Sequence, residues 1–153
     1  KGSWFFLAEI LVDFKLESNL PFDRIDCGKC TSCIDACPTN AIIENRMIDA
    51  RLCISYLTIE LKGSIPKILR PKMGNHIFGC DICQEVCPWN QKFSKITEKN
   101  EFHPREEIYY YNNRNWHQLE EGDFRRIFKD SAVKRTKFSG LKRNIDQQGK
   151  INN

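Results

Sequence analysis

All eight cysteines of this 153-residue chain lie between Cys27 and Cys87, and their spacing constrains the fold more than any other feature. Cys27, Cys30, Cys33 and Cys37 follow C-x2-C-x2-C-x3-C, with Pro38 next. Cys80, Cys83 and Cys87 repeat the last three positions and again lead into a proline, Pro88. Ile77 stands where the second run would have its first thiol, and Cys53 is the one cysteine left to complete it. The spacing has a mechanical reason. Cysteines two residues apart let a tight loop wrap three corners of one compact body. The fourth starts a segment that leaves in another direction, and the proline behind it resists folding back onto the same body.

C-x2-C-x2-C-x3-C-P is the run by which bacterial ferredoxins hold iron–sulfur clusters through thiolates, and with two clusters the fourth cysteine of each run serves the other cluster. That rule assigns Cys27, Cys30, Cys33 and Cys87 to one 4Fe-4S cluster, and Cys37, Cys53, Cys80 and Cys83 to a second. Two other uses of the thiols compete. A disulfide framework would need an oxidising compartment, and nothing here signals export. Two four-cysteine zinc sites fit the count, although zinc sites rarely place three cysteines at consecutive x2 spacing before C-P. A cluster closed by four thiolates carries one electron at a time and usually leaves no position for substrate. The cysteines therefore predict an electron relay without naming its acceptor.

With 41% apolar residues the chain has material for a modest core around such sites. No apolar run nears the roughly 18 to 20 residues that span a bilayer, and no charged-then-apolar leader precedes a cleavage site. Residues 1–26 carry Trp4, Phe5, Leu7, Ala8, Leu11 and Phe14 close to the spacing of an amphipathic helix. That stripe needs burial, and a start at Lys1 without Met makes this lead-in the expected end of a larger region. Within residues 27–91, Asp49 is the expected N-cap of a helix through Cys53, Tyr56, Leu57 and Glu60, with Gly63 as its stop. A second short helix is expected from Ser64 and Pro66 to Arg70–Pro71. Residues 92–153 lack cysteine, and from Gly122 onward nine basic residues face three acidic ones, a net +6 in a chain that totals +4. Phe124, Ile127 and Phe128, then Leu141 and Ile145, predict two short amphipathic helices ahead of a frayed end from Gln147. The expected fold class is α+β and mostly helical: a two-cluster ferredoxin-like domain over 27–91, flanked by the lead-in and a short basic helical tail.

Three blocks go beyond the cysteine frame. They are Gly2-Ser-Trp-Phe-Phe-Leu-Ala-Glu9, Asp49-Ala-Arg-Leu-Cys53-Ile-Ser-Tyr-Leu-Thr-Ile-Glu-Leu-Lys-Gly63, and Gly74-Asn-His-Ile-Phe-Gly-Cys80-Asp-Ile-Cys83-Gln-Glu-Val-Cys87-Pro-Trp-Asn90. Together with the first cysteine run they closely resemble epoxyqueuosine reductase, a family that reduces epoxyqueuosine to queuosine at the tRNA wobble position with cobalamin and two 4Fe-4S clusters. The resemblance is dense over residues 2 to 91 and thins to Trp116, Phe124 and the Gly140-Leu-Lys-Arg-Asn144 block. It implies that Leu7, Ser55 and the Cys80–Asp81 pair lie against cobalamin, and that Lys62 contacts tRNA. It also implies a larger N-terminal region, absent from this sequence, that supplies most of the cobalamin pocket and the acidic proton donor. No catalytic residue is therefore assigned within the chain. Ala8 stands where the family usually has Gly.

The basic tail is a candidate tRNA-phosphate surface, since clustered Lys and Arg release counterions on binding nucleic acid. Phe128 and Phe138 are expected in the core rather than as base-stacking platforms, and Tyr109, Tyr110 and Tyr111 in an extended or loop segment. His76, His103 and His117 show no ligand spacing and are expected to be structural. No Walker loop, G-x-G-x-x-G fingerprint or nucleophile–base pattern is present. The expected protein is the iron–sulfur portion of a cytoplasmic, monomeric oxidoreductase. Its expected partners are a tRNA with a queuosine-type anticodon loop and an external electron donor, with no membrane. A stand-alone ferredoxin-like carrier is the rival reading, and a zinc-stabilised RNA-binding module is a third.

Overall fold

A computed structural model describes residues 2–21, 27–43 and 47–148. Eight short helices carry the described chain: α1 Ser32–Ala36, α2 Ile54–Ile59, α3 Ile82–Glu85, α4 Pro88–Phe93, α5 Glu106–Tyr109, α6 Asn113–His117, α7 Glu121–Ile127 and α8 Lys137–Gln148. Among these residues the only β pairing is an isolated antiparallel bridge, Ile42 to Ile48. The fold is mostly helical, as expected.

The two cysteine runs fold alike because they share their local chemistry. Thr31 and Asp81 precede α1 and α3 with nearly equal backbone angles, φ −117°, ψ 4° and φ −116°, ψ 14°. Cys37 and Cys87 close the two runs in the same extended conformation, ψ 112° and 119°, as required before proline. Helices α1 and α3 pack on each other and bring the two runs together.

Two apolar cores flank this pair. One gathers Ile54, Leu57, Ile65, Leu69 and Met73, with Cys80 packed against it. The other lies in the tail, built from Leu119, Phe124, Ile127, Phe128, Leu141 and Ile145, with Ile77, Phe78 and Phe138 against it. Residues 77–80 thus run from one core to the other. The expected tail helices are α7 and α8, and Gln147 and Gln148 belong to α8. The frayed end beyond them, 149–153, lies outside the described residues. No helix among the described residues is long and apolar enough to cross a membrane.

Four local expectations need correction. The lead-in forms no helix over 2–21. Phe6, Leu7 and Leu11 are 90%, 89% and 96% exposed, with Phe6 stacked on Phe102 at 6.3 Å, so the stripe stays largely uncovered, and helices this short are marginal without burial. Helix α2 is capped by Cys53, not Asp49. Asp49 instead accepts the Arg51 N–H at 3.0 Å and pairs with its guanidinium at 2.7 Å, which spends the carboxylate on a turn. Hydrogen bonds from Arg51 hold that carboxyl below its ordinary range. The helix expected to end at Arg70–Pro71 is a 3-10 turn across Arg70–Lys72, with proline at its start, where its missing N–H costs nothing. Tyr109 ends α5 rather than lying in a loop, and Tyr111 meets Trp116 edge-on at 5.1 Å.

At the other end, Gly2 at φ +83° lies so close to Asn90 that a Cβ would overlap its Oδ1. The Ser3 N–H donates to Asn90 Oδ1 at 2.6 Å, and Asn90 Nδ2 donates to the Gln84 carbonyl at 2.8 Å. Buried Asn90 therefore ties the start of the described chain to the second cysteine run.

Candidate iron–sulfur centre

Cys37, Cys53, Cys80 and Cys83 line one pocket, walled by Ile42, Ile54 and Ile82, that encloses with its mouth about 380 Å³. Three different local devices deliver these thiols. Cys37 ends α1, Cys53 caps α2, and Cys80 follows Gly79, whose φ of +72° lets the chain turn into α3 and Cys83. Burial pushes the Cys80 thiol up, and the neighbouring Cys83, Cys53 and Cys37 push it further, as expected of thiolates crowded round one site. Burial opposes ionisation of Cys37 too. There it is outweighed by the Ala41 N–H, which donates to Cys37 Sγ at 3.2 Å, with Thr39 and Ile42 adding bonds that draw the thiol down. Gln84 Nε2 donates to Cys83 Sγ at 3.3 Å. Donors aimed at ligand sulfur are among the means by which a protein sets a cluster's potential.

The other four thiols are more open. Cys27 and Cys30 are exposed on a turn closed by the Cys30 N–H to the Cys27 carbonyl at 2.9 Å, and Cys33 and Cys87 are half-buried. All eight cysteines are free thiols, with no disulfide.

Of the positions singled out for cobalamin, Ser55 is half-buried in the first turn of α2, Asp81 is exposed ahead of α3, and Leu7 is exposed in the lead-in. No hydrogen bond or ion pair joins Leu7, Ser55 and Asp81 to one another among the described residues. Cys53 lies outside the helix, as its N-cap, two residues before Ser55.

Lys62 is exposed and lines a cleft with Ser64, Arg135, Lys137, Gly140 and Arg143. The tail's positive charge is partly spent elsewhere: Arg125 pairs with Glu121 at 2.7 Å, Arg126 with Glu107 at 2.6 Å and Arg135 with Glu60 at 2.5 Å. The histidines hold local contacts, His76 Nδ1 with the Met73 carbonyl at 2.8 Å and His117 with Asp146 at 3.7 Å. Phe128 is buried and Phe138 packs against the same core.

Sequence reasoning missed the network behind the pocket. Arg143 donates to the carbonyls of Leu57 at 2.9 Å, Leu61 at 2.5 Å and Gly63 at 2.7 Å. Asn144 Nδ2 donates to the carbonyls of Thr58 and Ile77, both at 2.8 Å. Thr58 Oγ1 accepts the Gly79 N–H at 3.0 Å. One signal was available: the Gly140–Asn144 block is one of the few tail features singled out in the sequence.

Comparison with known proteins agrees with this geometry. Residues 26–90 match a family model described as a 4Fe-4S double cluster binding domain, which favours iron–sulfur clusters over zinc. An epoxyqueuosine reductase of Cyclobacterium marinum is 49% identical over 144 residues, 94% of this chain and 45% of that protein. The chain thus spans less than half the length of that relative. A crystal structure of selenomethionine-labelled epoxyqueuosine reductase superposes with TM-score 0.76 at 32% identity, over 88% of this chain and 35% of the other. A second, of epoxyqueuosine reductase with an epoxyqueuosine-modified tRNA-Tyr stem loop, superposes with TM-score 0.69 at 30% identity over 88% and 35%. By sequence identity and by fold, the chain is similar to the double-cluster, iron–sulfur portion of epoxyqueuosine reductases.

Proposed function

We propose that this chain is the electron-relay part of an epoxyqueuosine reductase, delivering electrons to cobalamin for reduction of epoxyqueuosine to queuosine in tRNA. The observation that carries the reading is the single pocket shared by Cys37, Cys53, Cys80 and Cys83, four thiols drawn from three separate stretches of the chain. Those four would hold one 4Fe-4S cluster, and Cys27, Cys30, Cys33 and Cys87 the other. When bound, the clusters supply one-electron transfer, and cobalamin supplies the reduction at carbon.

The chain's own residues have three tasks in this scheme. Its thiols, and the N–H donors at Ala41 and Gln84, fix and tune the inner cluster. Its exposed turn at Cys27 and Cys30 leaves the other cluster open to an external electron donor. Leu7, Ser55, Cys80 and Asp81 offer one wall to cobalamin. Their fit is that of an outer surface, since Leu7 and Asp81 are exposed and Ser55 is half-open. The apolar lead-in, largely exposed among the described residues, suits a contact with the further length that the relatives possess. Lys62 and the cleft it shares with Lys137 and Arg143 form the proposed face for the tRNA backbone. The protein is placed in the cytoplasm as a monomer.

Anaerobic reconstitution with iron and sulfide analysis tests this reading. About eight irons per chain, two four-iron clusters, is the expected result. Two zinc ions per chain without sulfide would refute it. Loaded clusters together with a failure to bind cobalamin in the protein of full family length would instead favour a stand-alone ferredoxin-like carrier.

A further inference from the structure

In the second cysteine run, Ile77 holds the place of the missing first ligand, and the structure gives that place another duty. The Ile77 side chain packs into the tail core and its carbonyl accepts from Asn144 of α8. The same Asn144 nitrogen donates its other hydrogen to the carbonyl of Thr58 on α2, the helix that Cys53 caps. Thr58 is fully buried and Asn144 is 2% exposed. Thr136 Oγ1 donates to the same Thr58 carbonyl at 3.0 Å, and Thr58 Oγ1 takes the N–H of Gly79, the residue before Cys80.

Two thiols distant in sequence, Cys53 and Cys80, are thereby cross-braced by one amide and one hydroxyl. Neither Thr58 nor Asn144 lines the cysteine pocket. Their action must pass through the backbone of α2 and of residues 77–79. The brace matters because Cys53 comes from outside the run and cannot be held in register by x2 spacing, as Cys30 and Cys33 are.

We infer that Thr58 and Asn144 are positioning residues that fix Cys53 relative to Cys80 and so set the geometry and potential of the inner cluster. A polar pair this deeply buried is costly to leave half-satisfied, so losing one partner displaces the other. Among the described residues no hydrogen bond joins Cys27 or Cys33 to this pair, and the cluster they would share with Cys87 is expected to be unaffected by it.

The inference rests on the proposed wiring, and one set of variants in the protein carrying both clusters separates the two. Cys53→Ala and Cys80→Ala are expected to alter the same electron paramagnetic resonance signal of the reduced protein and leave the other intact. Two different signals altered would overturn the wiring and the inference with it. With the wiring upheld, Thr58→Val is expected to shift the line shape and midpoint potential of that cluster alone, while Thr58→Ser retains the native values. Iron then falls by no more than about four of eight per chain. Asn144→Asp keeps the side chain's shape, loses the bridging hydrogens and is expected to do the same, which covers a Thr58→Val protein that does not fold. Native signals and potentials in a folded Thr58→Val or Asn144→Asp protein would overturn the positioning role alone. So would an equal change in both clusters.

Discussion

Arg143 can be turned into a measurement of how firmly the tail helix holds α2. Its guanidinium donates to three carbonyls, those of Leu57, Leu61 and Gly63, at the C-terminal end of a helix that has no other cation in its last turn. The Leu57 carbonyl is one of the last four of α2, which have no partner within the helix, and Leu61 and Gly63 lie in the chain just beyond it. Taking about 1 kcal/mol net for each bond, Arg143→Ala removes about 3 kcal/mol from the attachment of the α2 end. Burial already pulls the guanidinium below its usual pKa, so desolvation offsets part of the gain, and about 2 kcal/mol is the lower bound expected. At about 1.4 kcal/mol per factor of ten, amide exchange at Glu60 and Leu61 should accelerate roughly 30- to 150-fold. Hydrogen–deuterium exchange of the cluster-loaded protein reads this directly and avoids a two-state unfolding assumption that bound clusters would break. Arg143→Lys should recover less than half of the protection, because one ammonium cannot match the planar fork across three acceptors. Exchange at Glu60 and Leu61 unchanged in Arg143→Ala, or a lysine variant equal to the native protein, would refute the capping role.

Three further outcomes follow from the same packing. Gly2→Ala places a methyl against Asn90 Oδ1 at a backbone angle that L-residues rarely adopt; it should release Ser3 from Asn90, seen as loss of amide protection at Ser3 with α2 unchanged. Ile127→Ala, at a residue only 1% exposed in the tail core, should cost about 2 to 5 kcal/mol, measured as faster amide exchange across α7 and α8 of the cluster-loaded protein. Lys62→Glu should weaken tRNA binding and flatten its salt dependence without changing iron content, since Lys62 is exposed and no cysteine bonds to it. Equal tRNA affinity would remove Lys62 from the proposed face.

The cysteine frame was readable in the sequence because it is local chemistry. Spacings of two and three residues and a following proline determine which way each thiol leaves its loop, and Thr31 and Asp81 take the same backbone angles in both runs. What failed were readings that needed to know the neighbours. Apolar periodicity over residues 4–14 marks a stripe, but a stripe becomes a helix only when something covers it, and the described residues leave most of this one open. Asp49 is as good a cap as Cys53 on propensity alone. Arg51, two residues on, captured its carboxylate and left the cap to the cysteine. The bonds of Arg143 and Asn144 span 67 to 86 residues, and no local pattern announces a contact at that distance.

The tail is accordingly part of the centre and not an appendage to it. An isolated ferredoxin fold could place a first cysteine at position 77 and close its second site within one loop. Here that position is occupied by an apolar side chain directed into the tail core, and its backbone is bonded to α8. In the proposed wiring the ligand comes instead from Cys53 at the head of α2, and α2 is held at its far end by the same tail, through Arg143, Asn144 and Thr136. Exchange of an intra-loop thiol for one that caps a helix trades local register for dependence on a distant brace. Leu141 fills the core, Arg143 caps the Cys53 helix, and Asn144 joins that helix to the approach of Cys80.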